Sequence, residues 1–339
     1  MKICVCDIGG TNFRLGVYDN GNLYNVKRFN TPNYFNYSEE EIKNLIISEI
    51  VTAFSDIRRD NGEINCLAIC FPGPVNSEGV VIGSCVVFGD ALKEKFFLKK
   101  EIEKRIKGVH VFVTNDMTAS VYRYVEFYSD FCLITVSSGI GNKVYSNGSV
   151  LIDEGGLTGE IGHYQTDLED VSIECSCGYG VNHVGMISSG RGIELVGRLF
   201  ADKKSKHRSF FMNSPLARSI NYNINEITAQ AIASSAMEGD SYCKYIIDYC
   251  TKPLADVICL LALAMNIPRF IIIGGFALNC DYYFESLSNN IFKRGIYNFE
   301  PDKIRNIVKP GIKDDDHGLI GVGKMMEIML GNTGVTQRI

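Results

Sequence analysis

The sequence lacks the features that would point to a nucleic-acid-binding or membrane protein. It has no excess of positive charge, because 34 Lys and Arg residues stand against 39 Asp and Glu residues and give a net charge of −5. Such a balance leaves no electrostatic footprint for nucleic acid or for an anionic membrane. No apolar run approaches the ~18 residues that a membrane-spanning helix needs. We therefore expect neither nucleic acid nor membrane as a partner.

A signal peptide and a low-complexity segment are also missing. The opening residues MKICVCDIGG are typical of a strand and lack the basic, apolar and small-residue regions of a signal peptide. This predicts a cytoplasmic protein. The twelve cysteines are unevenly spaced and lie mostly within apolar runs, so we expect most of them to be reduced and buried.

The pattern of strands and glycines predicts two related halves. A chain of 339 residues has a natural length for two domains that share a cleft. Ile3–Cys6 and Arg14–Tyr18 read as strands joined by a glycine turn, and Phe131–Val136 with Val144–Tyr145 repeats that arrangement. This repeat predicts two βα domains of related design.

Further elements are predicted by local signals. Ser38 with Glu41 forms a capping box before a helix whose apolar residues recur at helical spacing. Further strands are expected at Cys66–Cys70, His110–Val113 and Phe270–Ile273, and helices are expected from Ile227, from Tyr242 and over Gly318–Leu330.

The first strand ends in a sequence with the composition of a phosphate-binding turn. Asp7 stands at the strand's end and is followed by Gly9, Gly10, Thr11 and Asn12. Two glycines allow a tight turn whose N–H groups can face phosphate oxygens, and the carboxylate is placed to hold Mg²⁺. A simple hairpin turn would also explain the glycines, although not the acidic residue.

Two more glycine turns follow strands in the second half. Ser138, Gly139 and Gly141 form the counterpart of the first turn, and a polyphosphate could be bound from both sides. Gly274 and Gly275 follow the strand at Phe270–Ile273 and suit the close approach of a nucleotide. Each turn is a weak signal by itself, because a glycine pair after a strand is common.

Asn115 and Asp116 lie at the end of the strand HVFVT. A carboxylate there can accept the proton of a hydroxyl that attacks phosphorus, the role of general base in phosphoryl transfer. The alternative is that Asp116 caps the helix that follows.

A fourth group has the composition of a zinc site. His163, Cys175, Cys177 and His183 are ligand types that structural zinc prefers, and they lie within a short loop-rich stretch. A bound ion would rigidify the loop and orient the nearby Glu160. A single histidine of this kind would more often be an ordinary structural residue.

Taken in order, these elements resemble the ROK family of sugar kinases and regulators, within the hexokinase, actin and Hsp70 superfamily. The resemblance covers nearly the whole chain, through the motifs DIGGTNFRLGVYD, FPGPV, TNDMTAS, VSSGIGNKV, GEIGH, CSCGYGVNHVGMISSG, NIPRFIIIGGFALN and GLIGVGK. It implies an α/β, two-lobed, ribonuclease-H-like fold of actin and hexokinase type, with mixed sheets flanked by helices and a cleft between the lobes. The small lobe would comprise residues 1–115 and a C-terminal helix at about 316–339, and the large lobe residues 116–315.

The resemblance also implies roles for individual residues. Asp116 would be the catalytic base. The substrate would be bound by Gly73, Asn115, Asp116, Glu160 and His163. The nucleotide and its Mg²⁺ would be bound by Asp7, Gly9, Gly10, Thr11, Asn12, Ser138, Gly139, Gly141, Gly274 and Gly275. Structural Zn²⁺ would be bound by His163, Cys175, Cys177 and His183.

Two departures from the family pattern concern the zinc loop. His183 stands where the family has a third cysteine, a change that zinc tolerates. Gly185 stands where the family has a glutamate that contacts sugar hydroxyls near the anomeric carbon. We therefore expect either a substrate that differs from glucose around C1–C3, such as an amino sugar or a cyclitol, or weak binding of glucose. Another carboxylate, such as that of Glu194, could instead fill the space.

The predicted function is thus ATP-dependent phosphorylation of a hexose-like substrate, at the primary 6-hydroxyl. A kinase of an amino sugar or cyclitol and a non-catalytic sugar-binding regulator are the alternatives. The family's repressors carry an N-terminal DNA-binding module; because Asp7 stands so near the start of the sequence, we expect no such module here. A homodimer is expected from the family.

Overall fold

The computed structural model describes residues 1–89, 92–151, 155–175 and 177–332. These residues form two compact units. The first unit holds the described residues of Met1–Ser129, Gly148–Thr158 and Asp314–Ile339, and the second those of Asp130–Asn147 and Gly159–Lys313. The end of the predicted C-terminal helix, 333–339, lies outside the described residues, and the division of the lobes at residues 115 and 316 stays a prediction.

The first sheet has five strands in the order β3-β2-β1-β4-β5. Short turns make the first three strands antiparallel neighbours, whereas β4 and β5 run parallel to β1. Every residue of β4 is buried, as is typical of a parallel strand covered on both faces. The strands are β1 (Lys2–Ile8), β2 (Asn12–Asp19), β3 (Asn22–Asn30), β4 (Cys66–Phe71) and β5 (His110–Asn115).

Helices cover both faces of this sheet. The predicted capping box is confirmed, because Ser38 accepts a hydrogen bond from the Glu41 N–H and the Glu41 carboxylate accepts one from the Ser38 N–H. The helix that follows packs its isoleucines into one core cluster, and the C-terminal helix packs against the opposite face with Leu319 and Val322. The helices are α1 (Glu39–Asn61), α2 (Cys85–Phe88), α3 (Leu98–Arg105), α4 (Asp116–Tyr122) and, after the second unit, α13 (His317–Asn332).

The second sheet also has five strands and repeats the predicted opening. Its order is β10-β9-β6-β7-β8, with β6 and β7 antiparallel and β9 and β10 parallel to β6. The repeat of a strand, a glycine turn and a strand is therefore confirmed in both sheets. The strands are β6 (Phe131–Val136), β7 (Ile140–Ser146), β8 (Ser149–Val150), β9 (Phe270–Ile273) and β10 (Val308–Pro310).

One large hydrophobic cluster forms the core of the second unit, with the long helix α10 at its centre. The fold is α/β with mixed sheets flanked by helices, as predicted. Within the described residues, none of the helices is both long and apolar enough to cross a bilayer. The helices are α5 (Val184–Ser188), α6 (Gly190–Ala201), α7 (Arg208–Met212), α8 (Pro215–Ser219), α9 (Ala229–Met237), α10 (Ser241–Met265), α11 (Asp281–Arg294) and α12 (Pro301–Arg305).

Candidate active site

The turn between β1 and β2 has the tight geometry that its glycines predict. The Gly9 N–H donates a hydrogen bond to the Asn12 carbonyl at 2.9 Å, and this bond closes the turn formed by Gly9, Gly10, Thr11 and Asn12. Asp7 lies just before this turn, and the parallel pairing of β1 and β4 sets it directly beside Cys70. The predicted phosphate-turn residues of the first unit are therefore brought together.

Three groups surround the Asp7 carboxylate. Arg14 Nη2 donates to Oδ2 at 2.7 Å, and the Cys70 thiol donates to Oδ1 at 3.2 Å. A Cβ atom on Gly318, at the start of α13, would lie only 2.6 Å from Oδ1, so the helix backbone closes over the carboxylate. The carboxylate is therefore enclosed by Arg14, Cys70 and the start of α13.

Sequence reasoning gave no role to Arg14 or Cys70. Arg14 also bonds Asp316 Oδ1 at 2.9 Å, so that a single side chain links the first turn to the start of α13. Burial, followed by the charge of Asp7, raises the pKa of the Cys70 thiol well above its usual value. Cys70 therefore stays protonated and acts as a hydrogen-bond donor, a role that only the register of β1 and β4 reveals.

The structure answers which residue caps α4. The Asn115 side chain accepts a hydrogen bond from the Thr118 N–H at 3.0 Å and is the N-cap residue. The Asp116 carboxylate is therefore not needed for the cap, and it accepts from the Met117 N–H at 2.8 Å through Oδ1. The alternative reading, in which Asp116 caps the helix, is wrong.

The Asn115 amide nitrogen makes further bonds that are not part of the cap. Its Nδ2 group donates to the Gly73 carbonyl and to Asp116 Oδ1, both at 2.9 Å. Hydrogen bonds thus join Gly73, Asn115 and Asp116 into one group, and their role in binding a substrate stays a prediction. The Asn115 amide and the Met117 N–H both bond Oδ1, which fixes the orientation of the Asp116 carboxylate.

The GEIGH turn lies against the edge of β7 in the second unit. Gly159 has a φ of +98°, and a Cβ atom there would lie 2.0 Å from the Asn142 carbonyl oxygen. A Cβ atom on Gly162 would lie 2.2 Å from the Ile140 carbonyl oxygen. Only glycines permit this approach. The docked turn presents Glu160 and His163 at the surface of the unit.

The four predicted zinc ligands come together. The ligand atoms of His163, Cys175, Cys177 and His183 all lie within 4.8 Å of one another. Cys175 Sγ lies 3.6 Å from His163 Nδ1, and Cys177 Sγ lies 3.6 Å from His183 Nδ1. Tetrahedral zinc with its usual bond lengths would separate a thiolate sulfur from an imidazole nitrogen by about 3.6 Å. The four side chains therefore fit the ion.

The environment of this cluster favours neutral imidazole. Burial, together with the nearby His163, lowers the pKa of His183, which keeps its ring in the form that binds metal. Burial raises the pKa of Cys175, so that without a cation the thiol holds its proton. A cation among the four ligands would displace that proton.

A cavity of about 620 Å³ opens in the second unit and contains two of the predicted nucleotide-binding residues, Ser138 and Gly275. The start of α6 forms part of the cavity wall. It is held beside the end of β6 by a hydrogen bond from the Gly190 N–H to the Ser137 carbonyl at 2.8 Å. Gly139, Gly141 and Gly274 do not line this cavity. Polar residues for which the sequence predicted no nucleotide-binding role also line it, among them Arg191, Glu194, Gln230 and Asn279.

Glu194 does not fill the space left by Gly185. Its carboxylate bonds Arg198 at 2.8 Å and the Ala229 N–H at 3.1 Å, and it faces the cavity just described. Gly185 instead lies against the GEIGH turn, where an added Cβ atom would be 3.1 Å from the Gly162 carbonyl oxygen. A side chain at residue 185 would therefore emerge beside the predicted sugar contacts, and this chain has none.

Comparison with known proteins identifies the chain as a sugar kinase. The ROK family model matches residues 3–327, and the chain belongs to the ROK family. A C(7)-cyclitol 7-kinase of Streptomyces hygroscopicus subsp. jinggangensis is 32% identical over 97% of this chain and 95% of its own length. A kinase of the same name from subsp. limoneus is 31% identical with the same coverage.

Solved structures show the same fold. A ROK family glucokinase from Streptomyces griseus, in complex with glucose and AMPPNP, has a TM-score of 0.71 at 18% identity and covers 96% of this chain and 99% of its own. The predicted family, fold and enzyme class, an ATP-dependent sugar kinase, are thus confirmed. The roles of the individual site residues and the choice of substrate stay predictions.

Proposed function

We propose that this protein transfers the γ-phosphoryl group of ATP to the primary hydroxyl of a C7 cyclitol. The observation that supports phosphoryl transfer is the position of the Asp116 carboxylate. Asn115 Nδ2 and the Met117 N–H hold it at the start of α4, while Asn115 also provides the helix cap. A carboxylate held in this way suits a general base.

Asp116 accepts the proton of the substrate's primary hydroxyl as the hydroxyl oxygen attacks the γ-phosphorus in line. The bond from the γ-phosphorus to the β,γ-bridging oxygen breaks, and ADP leaves with that oxygen. The N–H groups of Gly10 and Thr11 bind phosphate oxygens and stabilise the charge that develops there. Asn115 fixes the direction of the carboxylate through its 2.9 Å bond to Oδ1. The cavity beside Ser138 and Gly275 is proposed to bind the nucleoside.

Two metal ions belong to this proposal. Asp7 would hold Mg²⁺ through water, because Arg14 and Cys70 already bond one lone pair on each carboxylate oxygen. When bound, Mg²⁺ neutralises phosphate charge. Zn²⁺ would bind His163, Cys175, Cys177 and His183 and stabilise the loop beside the GEIGH turn.

The substrate class rests on Gly185 and on the cyclitol kinases among the relatives. A C7 cyclitol has a carbocyclic ring of six carbons and one exocyclic carbon, so its 7-hydroxyl corresponds to the 6-hydroxyl of a hexose. It has no ring oxygen and no anomeric centre. The missing side chain at Gly185, beside the GEIGH turn, fits a substrate that does not need a carboxylate there.

The test compares matched acceptors at saturating Mg·ATP. D-glucose, its carbocyclic analogue carbaglucose and 6-deoxyglucose differ only in the ring oxygen or in the primary hydroxyl. We expect kcat/KM for carbaglucose to exceed that for glucose by about tenfold, the equivalent of one hydrogen bond, with no turnover of 6-deoxyglucose. Mass spectrometry of the product identifies the phosphorylated oxygen.

A preference for glucose would contradict the cyclitol assignment and leave a glucokinase-like enzyme. A preference for amino sugars would favour the other kinase alternative. Binding of sugars without any turnover would favour a regulator. Light scattering of the purified protein tests the expected homodimer.

A further inference from the structure

The carbonyl oxygens of the first phosphate turn are all bonded by one neighbouring segment. Thr31 Oγ1 donates to the Gly9 carbonyl at 2.7 Å, and the Thr31 N–H donates to the Thr11 carbonyl at 2.9 Å. Asn33 Nδ2 donates to the Gly10 carbonyl at 3.4 Å. The segment lies here because β3 pairs with β2 up to Asn30, opposite Asn12, so the next residue reaches the turn.

The donors of the same turn remain available. Within the part of the chain that the structure describes, the N–H groups of Gly10 and Thr11 have no hydrogen-bond acceptor. The acceptors of the turn are thus engaged on one side, whereas two of its donors are not. Successive N–H groups arranged in this way form an anion-binding concavity, and a carbonyl turned toward the same place would repel a phosphate.

We propose that Thr31 is a positioning residue for nucleotide phosphate, acting through the Gly9–Thr11 turn. Thr31 is only 5% exposed, so it acts on the phosphate through the turn rather than by direct contact. Its hydroxyl and its N–H together fix two of the three carbonyls, and the longer bond from Asn33 fixes the third less strongly. This inference rests on the proposed kinase function.

Thr31→Val tests the role of the hydroxyl. Valine keeps the branched shape and the backbone N–H bond but cannot donate to the Gly9 carbonyl. We expect the affinity for Mg·ATP and Mg·ADP to fall about three- to tenfold, the usual consequence of losing one hydrogen bond. The affinity for adenosine, which has no phosphate, and the KM for the sugar should not change. Thr31→Ser should restore most of the lost affinity.

The measurement is isothermal titration calorimetry of the full chain with Mg·ATP, Mg·ADP and adenosine, which needs no sugar substrate. Thr251→Val is the matched control, because Thr251 is also buried and its hydroxyl also donates to a backbone carbonyl, that of Ile247 at 2.9 Å. It should lose stability without losing nucleotide affinity. Asn33→Ala, at a less buried position, should lose less affinity than Thr31→Val.

The outcomes separate the two hypotheses. If the unaltered protein does not bind Mg·ATP, the kinase proposal fails and this inference fails with it. If the unaltered protein binds and Thr31→Val binds Mg·ATP equally well, the inference is overturned and the kinase proposal stands. Equal losses for ATP and adenosine would also overturn it, because they would indicate general damage to the site.

Discussion

Replacement of Asp116 by asparagine tests whether the Asp116 carboxylate has a catalytic role or only a structural one. The variant keeps an Oδ1 atom that can accept from the Met117 N–H, which lies 2.8 Å away. The helix cap is unaffected, because it is formed by Asn115 and the Thr118 N–H. What the variant loses is the ability to accept a proton.

The expected magnitudes follow from these contacts. Loss of a general base lowers a rate by about 10²- to 10⁴-fold. Loss of one negative charge in the first turn of α4 costs only about 0.3–1 kcal/mol of helix stability. We therefore expect kcat to fall at least 100-fold, while the free energy of unfolding changes by no more than about 1 kcal/mol and the affinity for the sugar is retained.

The assay measures the initial rate of ADP formation with the best acceptor from the panel, together with sugar binding and urea unfolding. Asp281→Asn is the matched control, because Asp281 is likewise the first residue of a helix, α11. It should show the same small change in stability and normal turnover. A value of kcat for Asp116→Asn within about threefold of the unaltered protein would refute the assignment of the base.

Two further predictions concern the zinc site and a buried histidine. Cys177→Ser should lose the zinc measured by atomic absorption and lower the unfolding temperature, because one of four ligands is removed; retention of one zinc per chain would contradict the site. Burial, followed by the charge of Arg123, lowers the pKa of His317 from 6.5 to about 4. Between these values the unfolded chain binds a proton that the folded chain does not, so the free energy of unfolding falls as the pH falls, by up to about 3 kcal/mol. His317→Gln should have a shallower pH dependence in denaturant titrations from pH 7 to about pH 4.5, and an unchanged slope would show that His317 is not responsible.

Local sequence signals were sufficient for the elements and for part of the site. The capping box of Ser38 and Glu41 and the glycine turn after Asp7 involve residues within a few positions of one another, so propensity and spacing predict them. The zinc ligands could be predicted for a related reason. Metal ligand types are few, and His163 and His183 stand close enough in sequence to fold around one ion.

The sequence by itself therefore determined the family, the α/β architecture and the residue types to which we assign chemistry. Only the tertiary structure decided which contacts those residues make. Asn115 caps α4 while Asp116 does not, and Cys70 bonds Asp7 from a neighbouring strand. Thr31 bonds the carbonyls of Gly9 and Thr11, in a turn that lies well before it in the chain. The physical reason is strand register. A hydrogen bond between residues distant in sequence depends on which strands pair and in which alignment, and neither composition nor local spacing contains that information.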